Sequence, residues 1–101
     1  MRDRIELDNK FREILGSSNV YFQPPESIKM QYPCIRYKLD RFNSIYANDN
    51  CYNLDELIIG TYISKNPDDE TIKTILNMPK CRFDRFYTFE NLNHWVFLIH
   101  L

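Results

Sequence analysis

Glycine occurs only twice in the 101 residues, at Gly16 and Gly60. Neither a G-x-G-x-x-G turn nor a G-x-x-x-x-G-K phosphate cradle can be written with two glycines so far apart. The three cysteines, Cys34, Cys51 and Cys81, form no C-x-x-C pair. That speaks against a zinc finger or a thioredoxin-type centre. Isolated cysteines, odd in number, read as free thiols acting as small hydrophobes in a reduced compartment. An excess of either charge is also lacking: 13 basic and 14 acidic side chains leave a net charge of -1. A dedicated nucleic-acid binder normally carries a clear basic surplus. No apolar run approaches the roughly 20 residues needed to cross a bilayer. Met1-Arg2-Asp3-Arg4 leads into charged sequence rather than an apolar signal core, so secretion is not expected. The expectation is one soluble intracellular domain, with a radius of gyration of roughly 13 Å if compact.

What is present is aromatic. Seven Phe, seven Tyr and one Trp are many for so small a core. Aromatic surface beyond what a core can hold often ends in an interface. Hydrophobic residues make up 44% of the chain, too many for a disordered segment.

Residues 3–15 predict a helix. Leu7, Phe11, Ile14 and Leu15 fall on one helical face, and Gly16 stands where a left-handed cap is wanted. Val20-Tyr21-Phe22, stopped by Pro24-Pro25, predicts a short edge strand. After Pro33, Ile35, Tyr37 and Leu39 alternate with Cys34, Arg36 and Lys38, the pattern of a half-buried strand. Residues 41–56, rich in Asn and Asp, read as a long flexible loop or a floppy hairpin extension. Residues 57–64 are apolar on both faces and predict a central strand. Asn66-Pro67-Asp68-Asp69 predicts a helix start, with Ile72, Ile75 and Leu76 as its buried stripe and Pro79 at its end. Residues 81–89 predict a strand with Phe83, Tyr87 and Phe89 on one face. Glu90-Asn91-Leu92-Asn93 reads as a hairpin turn. Residues 94–101 predict the last strand, with Trp95, Phe97, Ile99 and Leu101 opposed to His94, Val96, Leu98 and His100. The expected class is α+β: a mixed, mainly antiparallel sheet of four to five strands, with two helices on one face, in the order α-β-β-β-α-β-β.

Candidate chemistry is sparse. The only histidines, His94 and His100, share one strand face and read as polar tips on a half-exposed sheet. No G-x-S-x-G nucleophile elbow exists. The acids Asp68-Asp69-Glu70 already have a role at a helix N-terminus, and no spacing suggests a carboxylate pair facing across a cleft. Cys81-Arg82-Phe83-Asp84-Arg85-Phe86 mixes arginines with aromatics. That mixture fits a protein interface or a strand with one solvated face, and less well a nucleic-acid stacking surface given the charge balance.

The run from Met78 to Tyr87, followed by Glu90-Asn91-Leu92-Asn93-His94-Trp95-Val96-Phe97, resembles the tail terminator family of long-tailed bacteriophages. Members are also called tail-to-head joining, tail completion or minor capsid proteins. Tyr32-Pro33-Cys34-Ile35 resembles the family's first long strand. Tyr46-Ala47-Asn48-Asp49-Asn50 and Tyr52 resemble its polar loop, and Asn66-Pro67-Asp68-Asp69 the entry to its second helix. The resemblance spans most of residues 5–101 and treats the chain as a single domain. It implies a structural protein, not an enzyme, with no cofactor, no metal, no membrane and no sequence-specific nucleic acid. Its implied partners are itself, in a ring that is usually a hexamer, the tail tube protein, and a head-completion or connector protein. Its implied location is the neck of the virion, reached from the host cytoplasm during assembly. A neighbouring neck component, such as a head-completion or stopper protein, is the alternative within this class. A small regulatory or nucleic-acid-binding domain is the alternative outside it. The assembly surface implied here takes Arg41, Phe42, Tyr46, Asn48, Asp49 and Tyr52 from the polar segment. From the last two strands it takes Arg82, Asp84, Arg85, His94 and Trp95.

Overall fold

Helix α1 covers Arg4–Leu15 and presents Leu7 and Phe11, both fully buried, to the core. Arg12 pairs with Asp8 one turn earlier at 2.6 Å. The helix ends where expected: Gly16 adopts φ +72 and its N–H reaches the Arg12 carbonyl at 2.9 Å. The computed structural model describes residues 4–25, 29–47 and 50–100, with residues 41–47 and 50–56 described in their backbone alone.

Five strands follow: β1 (Val20–Phe22), β2 (Cys34–Ala47), β3 (Asn50–Ser64), β4 (Cys81–Phe89) and β5 (Leu92–His100), with helix α2 (Thr71–Leu76) between β3 and β4. They form one sheet in the order β1-β2-β3-β5-β4. Only the β1–β2 pair is parallel. The fold is therefore the expected α+β, with a mixed, mainly antiparallel sheet. β3 is central, as its two apolar faces require. β5 returns between β3 and β4, so β3-α2-β4 is a split crossover with a strand inserted in its middle.

Both helices lie on one face. Leu7, Phe11, Ile72 and Ile75 pack with Ile35, Tyr37, Ile58, Tyr62, Phe97 and Ile99 in one core. Phe11 meets Tyr37 and Phe97 edge-on, at ring-centre distances of 5.4 and 5.8 Å. Among the described residues no helix is long and apolar enough to cross a membrane.

Three expectations are corrected. Residues 41–47 and 50–56 do not form a loop: the β2–β3 ladder continues through Arg41↔Leu57, Phe42↔Glu56 and onward to Ala47↔Asn50. The hairpin alternative is the one observed. Among the described residues β5 pairs with β3 only from Leu57 to Ser64, and β1 reaches only Tyr37 on β2. The ribbon beyond Leu57 thus pairs with itself and projects from the sheet. Asn and Asp in a sequence do not rule out backbone pairing, since ladder hydrogen bonds use the main chain. The radius of gyration of 14.8 Å, with principal extents of 51 × 30 × 24 Å, exceeds the roughly 13 Å radius of a compact chain this long.

Helix α2 begins at Thr71 rather than at Pro67. Asn66 spends its side chain on a turn, Oδ1 accepting the Asp68 N–H at 3.1 Å. Asp69 Oδ1 then accepts the Thr71 N–H at 2.9 Å, so the acid still meets the helix start, four residues later than its sequence signature.

The third correction concerns β4. Phe83 lies opposite Phe97, but Arg85, not Asp84, lies opposite Val96. Asp84 is the extra residue of a β-bulge. Beyond it every side chain changes face, so Phe83 and Phe86 share the helix side while Tyr87 and Phe89 share the other. The period-two count placed Phe83, Tyr87 and Phe89 together because a bulge leaves no mark in composition. The β4–β5 turn is a tight one: Glu90 and Asn91 adopt φ 52 and 64, the mirror-image geometry that suits a two-residue hairpin.

Candidate interaction surface

The sheet face without helices is built row by row across four strands. One row runs Arg36, Thr61, Val96, Arg85; the next runs Lys38, Ile59, Leu98, Arg82. A third runs Cys34, Ile63, His94, Tyr87. Cations therefore flank the face on β2 and β4, over a largely apolar floor on β3 and β5. The cause is local: β2 alternates charge with core residues, and the bulge at Asp84 turns Arg85 onto the same face as Arg82. Arg85 Nε sits 3.6 Å from Asp84, with both side chains exposed.

His94 is not a polar tip. It is 7% exposed, stacked on Tyr87 at 4.6 Å with an interplanar angle of 14°. Its Nδ1 lies 3.1 Å from the Leu92 carbonyl. Burial holds its pKa below the ordinary 6.5, and the Arg36 charge acts in the same direction against the Leu92 carbonyl. Trp95, its neighbour in sequence, points to the helix side, between Tyr62 at 5.6 Å and Phe86 at 5.3 Å. The two residues expected to share an assembly surface thus belong to opposite faces. Arg41, Phe42 and Tyr46 fall on the ribbon part of β2 and Tyr52 on that of β3; their side chains lie outside the described residues, as do Asn48 and Asp49 altogether.

β4 is the open edge of the sheet. Phe83 and Phe86 are each 48% exposed and Phe89 is 62% exposed. Arg36, Lys38, Tyr87 and Phe89 lie outside the residues that the sequence assigns to an interface. Arg36 and Lys38 alternate with core residues and read as an ordinary solvated face until the register with β4 is known.

Two anchoring networks hold the helices to the sheet. The buried Tyr37 donates its O–H to Asp8 at 2.5 Å. Tyr62 donates to Asp69 Oδ2 at 2.6 Å, and the Ser64 hydroxyl reaches the same oxygen at 2.9 Å. Burial raises both tyrosines to about 12, and the adjacent carboxylates add to the rise. For Asp8 and Asp69, burial works upward, but the donated hydrogen bonds outweigh it and hold both below the ordinary 3.8. The free thiols Cys34 and Cys81 are pushed up to about 11 by burial, which keeps them from acting as thiolates near neutrality. Among the described residues no group of three or more His, Cys, Asp and Glu side chains could hold a metal ion. Comparison of the chain with protein-family models, curated proteins and solved structures finds no match.

Proposed function

We propose that this chain is a structural assembly protein of a bacteriophage neck, one that forms a ring on the tail tube. The ring, a hexamer in this reading, caps the last ring of the tube, stops its polymerisation and offers a docking surface to the head connector. The subunit works by contact alone, performs no catalysis and takes no cofactor. It belongs to the virion and assembles in the host cytoplasm.

The observation that carries the reading is the open edge of β4. This nine-residue strand, paired with β5 on its inner side and with no described strand on its outer side, presents Phe83 and Phe86 on one face and Phe89 on the other. Such an edge accepts another backbone, and aromatic side chains supply interface energy. A head-to-tail contact closes into a ring when the rotation per subunit divides a full turn. The opposite edge of the sheet is unlike it: β1 has three residues and runs parallel to its neighbour. Two unlike edges suit a heterologous contact better than a two-fold one. The resemblance to tail terminators supplies the phage context.

Electron microscopy of the purified protein, alone and with tail tubes, tests the ring. Rings seated on tube ends are expected, and Phe86→Glu with Phe89→Glu should abolish them while leaving the subunit folded. Tails assembled without the protein that kept normal length and still joined heads would sink the assignment.

A further inference from the structure

We propose that the helix-free face of the sheet is a docking trough for an acidic segment of a partner protein, its apolar side chains entering between two cationic rails. The trough holds a cavity of about 520 Å³ whose lining includes Arg36, Lys38, Ile59, Val96, Arg85 and Tyr87. Among the described residues no Asp or Glu lines it. Arg36 and Lys38 form one rail, on β2, and Arg82 and Arg85 the other, on β4. They stand three strand spacings apart, about 14 Å across the sheet. That span admits a single peptide segment.

Charge decides the occupant. All the cations of these rows point to one face, while the chain as a whole carries a net charge of -1. Among the described residues the ion pairs of Lys10, Arg12 and Lys73 belong to the helices, and that of Arg85 to its own neighbour Asp84. Arg36 and Lys38 are exposed, and neither takes part in the ion pairs just named. Carboxylates on both flanks of a peptide would answer both rails, and an apolar stripe between them would cover Ile59 and Val96. Arginine at an interface gives two-pronged carboxylate recognition. Nucleic acid is disfavoured by the absent basic surplus, which supplies its long-range attraction. The trough lies on the sheet face, away from the β4 edge hydrogen bonds, so the docking holds whether or not the chain forms rings.

The test is fluorescence anisotropy with a labelled synthetic peptide of Glu and Leu placed in helical i, i+3, i+4 spacing. Controls are a scrambled peptide of the same composition and a labelled single-stranded oligothymidine. Saturable binding is expected for the patterned peptide, weaker with added salt. Arg36→Glu combined with Arg85→Glu should weaken it by about tenfold or more. Arg36→Gln with Arg85→Gln, a milder pair at two exposed sites, should weaken it in the same direction and guards against misfolding. Lys10→Glu, on the helix side, should leave binding unchanged. No saturable binding, equal binding of the scrambled peptide, or preference for the oligothymidine would each overturn the proposal.

Discussion

The ring of Phe97 fills the space that a side chain at Gly60 would need. The two residues lie opposite each other on β5 and β3, and a Cβ at Gly60 would come within 2.6 Å of two Phe97 ring carbons. The glycine is thus a matter of space rather than of backbone conformation, and the aromatic ring covers what would otherwise be bare backbone in the central strand. Phe97 is fully buried against Phe11, so it has little room to withdraw.

Gly60→Ala should therefore destabilise the fold by about 1–3 kcal/mol, the usual cost of overpacking. Phe97→Leu alone should also destabilise, through lost volume. The double variant should be better than the sum of the two, because each change relieves the other. Urea unfolding of the four proteins measures the coupling. Strict additivity would mean that the contact is not where the strain falls.

Stability should fall with acid in two separate stages. His94 has a folded pKa below 6.5, so the unfolded chain binds its proton more readily. Its contribution is complete above 6.5, declines as pH drops below that value and levels off below the folded pKa. Asp8 and Asp69 are held below 3.8, so their contribution is present above that value and is lost as pH falls through their folded values. Chemical denaturation across this range should show both declines. His94→Gln should flatten the first and leave the second. An unchanged slope below 6.5 in that variant would show that His94 is more accessible to protons than its place under Tyr87 implies.

Replacing residues 43–55 by a two-residue Asn-Gly connection should leave the domain folded. Among the described residues the ribbon pairs only with itself beyond the sheet. The unfolding free energy should stay within about 1 kcal/mol, since changes in connection length alter closure entropy slowly. Under the proposed function the trimmed chain should fail to cap tail tubes. A large loss of stability measured by thermal melting would instead make the ribbon part of the folding unit.

Much of the architecture was legible because it depends on local pattern. The stripe Leu7, Phe11, Ile14, Leu15, the cap at Gly16 and the two apolar faces of residues 57–64 each state their own environment. What was not legible depends on a partner. Whether Asn-rich residues 43–53 pair with one another is decided by ladder hydrogen bonds, which any residue but proline can make. The change of face at Asp84 is set by β5. The cationic trough arises only when Arg36 and Arg85, on strands with two others between them, come into one row. Asp69 is the helix-start acid that its sequence position suggests, but its link to Tyr62 and Ser64 spans a turn that capping rules do not describe.

The bulge at Asp84 has a consequence for solubility. A straight, unpaired strand lined with phenylalanine is a template: each copy added leaves an identical edge, and stacking has no natural end. One surplus residue breaks that regularity. It twists the edge, sets Arg82 and Arg85 facing the same side, and leaves no flat register for an endless pile of copies. The aromatic edge can thus stay adhesive toward a partner shaped to its bend while being a poor seed for fibrils of its own kind.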